Sequence, residues 1–179
     1  MNVPDVLNDR GRRRREFLRV AALGAGASLL APALLGSAAR AATAIDALLL
    51  SCMDYRLIAE TERYMSGRGL RHKYDHVILA GAALGAITEK YPAWNQTFWE
   101  HLDVAIQLHG IHKVIVLDHR DCGAYQVILG EDFVKDRAKE TSVHADKLRE
   151  LARKVSSTYP KLELELLLMS LDGKVEKIT

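Results

Sequence analysis

Two short segments hold residue types suited to metal chemistry. The first is Cys52-Met53-Asp54-Tyr55-Arg56 and the second is His119-Arg120-Asp121-Cys122-Gly123. Between them they use the only two cysteines of the chain. In an extended segment alternate side chains share a face, which predicts that Cys52, Asp54 and Arg56 point the same way. His119 and Cys122, three residues apart, converge on one ion if the chain turns between them, and Gly123 is placed to help that turn. Cys52, His119 and Cys122 then make three N/S ligands with a fourth position free, the pattern of catalytic zinc. Thiolate and imidazole suit Zn²⁺ and disfavour hard cations such as Mg²⁺. Arg56 keeps the Asp54 carboxylate ionised and oriented. Asp54 is thereby placed to accept a hydrogen bond from water on the ion, or to swing in as a fourth ligand in a closed state. Two other readings compete: a Cys52–Cys122 disulfide in an exported protein, and a pair of inert buried thiols. Either motif alone is weak, but both together at strand ends favour the metal site.

The segments that must position these residues alternate in type. Apolar runs at Ala47–Leu50, His76–Leu79, Lys113–Leu117 and Leu164–Leu168 read as strands. Helix-period stretches fall between them: Leu57–Met65, a segment with Phe98, Leu102, Ala105 and Ile106 on one face, and Ser142–Ser157. Gly110 reads as a C-terminal cap and Ser142 as an N-terminal one. Asp172-Gly173 is a turn signal, and Lys174–Ile178 reads as a short last strand. Strands alternating with helices predict an α/β fold, a mostly parallel central sheet flanked by helices. Ligands in such sheets sit beyond strand C-termini where strand order reverses, and both motifs follow a predicted strand. Gly81-Ala82-Ala83-Leu84-Gly85 also follows one, but lacks the G-x-G-x-x-G spacing of a dinucleotide loop; a close backbone approach near the metal is the better reading.

The chain has 179 residues, 49% apolar and 27% charged, which argues for one globular core and against general disorder. Its net charge of +2 is unevenly placed. Residues 1–42 carry seven Arg and three acids, whereas residues 43–179 carry 18 bases and 20 acids. The body therefore offers no surplus for a polyanion, which excludes nucleic acid as the expected partner. Arg12-Arg13-Arg14-Arg15 precedes twenty uncharged residues, Val20 to Ala39, and small residues at Ala39-Arg40-Ala41 and Ala42-Thr43-Ala44 offer cleavage sites. Arg14-Arg15-Glu16-Phe17-Leu18 resembles the twin-arginine export signal. The expectation is an export signal over 1–42, a zinc domain over 43–179, a periplasmic or exported location after cleavage near Ala41–Ala44, and no stable membrane insertion afterwards.

The paired motifs resemble those of the β-class carbonic anhydrases. That family carries Cys-x-Asp-x-Arg after its first core strand and His-x-x-Cys-Gly after a later one, in the same order and at similar spacing. The run from Leu102 through Gly110 to Val116 is similar too, and the likeness extends over about residues 46–178. It departs after the second strand, where Ile78-Leu79-Ala80-Gly81 stands for the family's Arg-Asn-Ala-Gly. The resemblance implies Zn²⁺ on Cys52, His119 and Cys122, with Asp54 and Arg56 as the catalytic dyad. It implies reversible hydration of CO2 to bicarbonate by hydroxide on the zinc, and a homodimer or multiple of dimers. The alternatives are a hydrolase acting on COS or CS2 at the same site, and a zinc-binding module without turnover. Among the remaining residues, Asp118 and Asp121 flank His119 and are candidates to orient a ligand. His72, His76, His101, His109, His112 and His144 read as surface or helix histidines, and nothing selects one as a proton carrier. Trp94, Phe98 and Trp99 read as core or interface.

Overall fold

The computed structural model describes residues 45–130 and 135–179. The proposed leader, 1–42, and its cleavage sites lie outside the described residues. The fold expectation holds: the strands β1 (Ala47–Ser51), β2 (Tyr74–Ile78), β3 (Lys113–His119), β4 (Glu163–Met169) and β5 (Val175–Lys177) form one sheet. Their order is β2-β1-β3-β4-β5, with β5 antiparallel to β4 and every other pairing parallel. β1 is paired on both edges and wholly buried, which is why Ala47-Leu48-Leu49-Leu50 reads as an unbroken apolar run without alternation.

The two faces of the sheet make two cores. Leu48, Leu50, Val114, Val116 and Leu168 face one side, where they pack with Phe98, Leu102, Leu148, Leu151 and Val155. Leu49, Ile115, Leu117, Leu167 and Met169 face the other, with Leu57 and Met65. The helices are α1 (Ile58–Gly67), α2 (Ala82–Ile87), α3 (Pro92–His109), α4 (Gly123–Leu129) and α5 (Arg137–Thr158). Gly110 does end α3, in the left-handed region at φ 64°. α5 begins five residues earlier than Ser142 suggests. Asp136 is its cap, accepting from the backbone N–H groups of Ala138 and Lys139, and Ser142 lies inside the helix.

Two helices were not legible as such. α2 consists of Ala82-Ala83-Leu84-Gly85-Ala86-Ile87, all buried, so it shows no amphipathic period. Gly85 belongs there because a Cβ on it would stand 2.4 Å from the Ala80 carbonyl oxygen. α4 follows the second motif directly and spans only seven residues.

The chain passes from β1 to β2 on one side, then crosses back past β1 to β3 on its other side. The crevice beyond the C-terminal ends of β1 and β3 is therefore the switch point of this sheet. Both motifs open into it.

Candidate metal centre

Cys52 follows the last residue of β1 and His119 is the last residue of β3. Ser51 pairs in register with Leu117, which sets the two strand ends side by side. Cys122 completes the set from the N-cap position of α4. One ligand atom from each of Cys52, His119 and Cys122 lies within 4.8 Å of the others. The two sulfurs are 3.9 Å apart and both cysteines are free. A tetrahedral ion with Zn–S bonds of about 2.3 Å holds its sulfurs about 3.8 Å apart, so the spacing fits such an ion and not a disulfide.

His119 carries the clearest sign of a missing partner. Its Nδ1 bonds the Arg120 carbonyl oxygen at 2.8 Å, so that nitrogen holds the proton and Nε2 keeps its lone pair. Nε2 is buried and has no hydrogen-bond partner among the described residues. A buried acceptor of this kind costs about 1–3 kcal/mol if nothing meets it. A soft divalent cation meets it, and the donor set of two thiolates and one imidazole suits zinc. The backbone carbonyl behind the ring fixes the tautomer that coordination needs.

The electrostatics are those of a site prepared for positive charge. A hydrogen bond from Cys122 lowers the Cys52 thiol well below the ordinary range, helped by His119 and by the Gly81 N–H, which donates to Cys52 Sγ at 3.3 Å. The Cys122 thiol is pushed up, first by that same neighbour and then by burial. One proton is thus shared between two close sulfurs, and a metal releases it. Gly81 performs the close backbone approach expected of the Gly81–Gly85 stretch.

Asp54 and Arg56 also meet, by a different device from strand alternation. The chain stops being extended after Asp54 and makes a 3-10 turn over Tyr55–Leu57, with Asp54 as its cap. Asp54 Oδ1 accepts from the Arg56 backbone N–H at 3.0 Å and from Arg56 Nε at 3.0 Å, and Oδ2 accepts from Nη2 at 2.7 Å. This fork holds the Asp54 carboxyl down at about 2, the Arg56 side-chain bond being the largest cause. It also holds Asp54 away from the ligand set. Oδ2 stands 3.8 Å from His119 Nε2, and the cluster whose ligand atoms lie within 4.8 Å of one another is Cys52, His119 and Cys122.

Arg56 is itself gripped from the second motif. Its Nη1 donates to Asp121 Oδ2 at 2.7 Å and its Nη2 to the Asp121 carbonyl at 2.9 Å. The turn between His119 and Cys122 is made by Asp121, at φ 55°, rather than by Gly123. Asp121 N–H donates to Glu140 Oε1 at 2.6 Å, and Glu140 Oε2 accepts from Arg120 Nη1 at 2.8 Å. Asp118 orients no ligand side chain; it turns inward to Ala83, Tyr125 and His144. His144 is a helix histidine, on α5, and it is buried rather than at the surface because Asp118 supplies a buried partner.

Arg120, Tyr125, Glu140 and Trp94 are the site residues that sequence reasoning missed. A signal existed for Glu140. Glu140, His144, Leu148, Leu151 and Val155 fall on one helical face, so extending the apolar stripe of α5 backwards puts Glu140 and His144 on the buried side.

The centre opens into a cleft of about 700 Å³. Its walls are mostly apolar, and Ala80, Trp94, Val127, Ile128, Met53 and Tyr55 are among the residues that line it. Tyr91 and Trp94 stack at 4.1 Å between ring centroids.

Known proteins agree with this geometry. A family profile described as "Putative carbonic anhydrase" matches residues 42–179. An uncharacterised protein of Rickettsia conorii is 40% identical over 131 residues, covering 73% of this chain and 70% of that one. Another, from Rickettsia bellii, is 39% identical over 131 residues, covering 73% and 80%. Among solved structures, a β-carbonic anhydrase of Coccomyxa superposes with a TM-score of 0.53 at 13% identity, covering 98% of this chain and 87% of that one. A carbonic anhydrase from Glaciozyma antarctica gives 0.50 at 18% identity, covering 93% and 95%. These two likenesses speak to the fold alone. The ligand triad at the β1/β3 switch point and the profile match over 42–179 together place the chain in the β-carbonic anhydrase family.

Proposed function

We propose that the protein catalyses the reversible hydration of CO2 to bicarbonate and a proton. The observation that carries this reading is the orphaned His119 Nε2 beside two free thiols, opening on an apolar cleft with an ionised Asp54 at 3.8 Å. Cys52, His119 and Cys122 would hold the zinc. When bound, it supplies the Lewis acidity that makes hydroxide available near neutral pH.

The chain's own residues do the rest. Asp54, held ionised by the Arg56 fork, can accept a hydrogen bond but not donate one. It therefore admits only an oxygen that still bears a proton, and turns that oxygen's free lone pair toward the incoming carbon. Arg56 cannot wander, because Asp54 and Asp121 hold it from two sides. The apolar wall of Ala80, Trp94, Val127 and Ile128 receives an apolar substrate without competing hydrogen bonds. The test is metal analysis with stopped-flow CO2 hydration on the purified protein. About one zinc per chain and rapid hydration are expected; zinc-loaded protein without hydration refutes the reading, and turnover of COS or CS2 instead selects the hydrolase.

We also propose export through the 1–42 segment and assembly as a homodimer or a multiple of dimers. The first is supported by Arg14-Arg15-Glu16-Phe17-Leu18 and the uncharged stretch after it; replacing both arginines with lysine should block export of a tagged chain. No helix among the described residues is long and apolar enough to cross a membrane. The second is supported by the exposed apolar rim of the cleft, with Met53 65%, Tyr55 82% and Val127 61% exposed. Light scattering during size-exclusion chromatography should give an even multiple of the chain mass, and a monomer refutes the assembly.

A further inference from the structure

We propose that Cys52 and Cys122 form a thiol–disulfide switch, in which a bond between their sulfurs and a bound metal ion exclude each other. This rests on the metal-centre reading of Cys52, His119 and Cys122, and not on the reaction that the centre performs.

The pair is placed for both states. The sulfurs stand 3.9 Å apart across seventy positions of the chain, and both cysteines are free. They are the only cysteines of the chain, so each has one possible sulfur partner within it. A disulfide holds its sulfurs at about 2.0 Å. Neither cysteine lies inside a strand or a helix: Cys52 follows the end of β1 and Cys122 precedes the first turn of α4. Their side chains can therefore turn toward each other without breaking a strand ladder or a helical turn. The cost is the bond from Gly81 N–H to Cys52 Sγ, which closing the pair displaces.

The two states compete for the same atoms. A tetrahedral zinc spans two sulfurs about 3.8 Å apart, and bonded sulfurs cannot span that edge. Oxidation also removes the negative charge that makes each sulfur a zinc ligand. The cleft sets the order of attack. Both cysteines line it, but Cys52 is half-buried whereas Cys122 is buried behind it. A reagent entering the cleft meets Cys52 first, and Cys122 stands within 3.9 Å to resolve the product.

The oxidant is a small disulfide. The Cys52 sulfur attacks one of its two sulfurs, forming a mixed disulfide and expelling the other as a thiolate. The Cys122 sulfur then attacks the Cys52 sulfur, which forms the internal bond and expels the second thiolate. Two protein thiols lose two electrons and two protons, and the small disulfide gains them as two thiols. Starting from the metal-bound pair, the ion leaves and solvent supplies the two protons. Excess small thiol reverses both exchanges.

The experiment treats the full chain with oxidised glutathione, once freed of metal and once loaded with zinc, and maps it by mass spectrometry without reduction. The metal-free chain should give a Cys52–Cys122 crosslink within one chain, with the loss of two hydrogens. Its melting temperature should rise above that of the reduced metal-free chain, because the bond closes a long loop in the unfolded state. The zinc-loaded chain should release about one zinc per crosslink, read with a colorimetric chelator, and dithiothreitol followed by zinc should restore it. Cys122→Ser should stop at a lasting glutathione adduct on Cys52. The wild-type crosslink and its zinc release are read whether or not that variant folds. A lasting adduct on wild-type Cys52, a crosslink between two chains, or an internal disulfide formed with zinc retained overturns the switch alone. A reduced chain that takes up no zinc overturns the metal centre, and the switch with it.

Discussion

Replacing Glu140 with Ala should damage both the stability of the chain and its hold on metal. Glu140 and Arg120 are each about as buried as a core residue, with side chains 7% and 6% exposed. One Glu140 oxygen neutralises Arg120 at 2.8 Å and the other takes the Asp121 N–H at 2.6 Å. Removing one partner of a buried pair costs about 3–5 kcal/mol, because a charge is left uncompensated. Arg120 retains Thr141 at 2.8 Å and the half-exposed Glu176, which sets the expectation at the lower end, about 3 kcal/mol. For a domain of this size that is a fall in Tm of about 6–12 °C. The loss should also spread to the ligands. Asp121 sits between His119 and Cys122 in the left-handed region at φ 55°, and its N–H is anchored only by Glu140 among the bonds seen here. Loss of a group that orients ligands typically lowers metal affinity about 10–100-fold. Urea unfolding of the metal-free protein gives the first number, and competition against a chelator gives the second. Replacing both residues, Arg120→Met with Glu140→Leu, should recover most of the stability, since an apolar pair needs no desolvation. The double variant should not recover metal affinity, because the Asp121 anchor stays lost. A Glu140→Ala chain within ~0.5 kcal/mol of wild type and with unchanged zinc affinity would refute the reasoning.

Three further outcomes are expected. In metal-free protein Cys52 should be alkylated by iodoacetamide at pH 6 while Cys122 is spared, because the Cys52 thiol is lowered and the Cys122 thiol raised; zinc should abolish the reaction, and equal labelling by mass spectrometry would contradict the assignment. Asp54→Ala should lower CO2 hydration about 10²–10³-fold with zinc retained. Since the folded Asp54 carboxyl is depressed to about 2, the stability its Arg56 pair contributes is present above the ordinary carboxylate range and is lost as pH falls from there toward 2, with the acid limb of a melting curve flattened in Asp54→Ala. Gly85→Ala should destabilise the chain by about 1–3 kcal/mol, because its Cβ meets the Ala80 carbonyl at 2.4 Å; an unchanged melting temperature would show that the Ala80–Gly81 loop yields freely.

Much of the site could be read from residue types and spacing. Two cysteines and one histidine, each close behind an apolar strand, predicted the cluster that the fold assembles, and the Asp-x-Arg spacing predicted the pairing of Asp54 with Arg56. The strands were legible because a buried parallel strand is a continuous apolar run. Short helices were harder: α2 is buried all round and has no polar face to mark its period. Glu140 was passed over because a charged residue ahead of Leu148 and Leu151 looks like the solvated start of a helix. Its partner, Arg120, is twenty residues away, and nothing local announces the pairing.

Residue types alone set the chemistry on offer, because thiolate, imidazole and carboxylate bring the same donor atoms wherever they stand. Which of those groups share a volume follows from the packed fold. The reversal of strand order at β1 brings Cys52 beside His119, sixty-seven positions later in the chain, and α5 returns over that junction to deliver Glu140 and His144. Contacts of that kind are set by how sheet and helices bury their apolar faces together, and a linear pattern does not encode the partner on the other side of the fold.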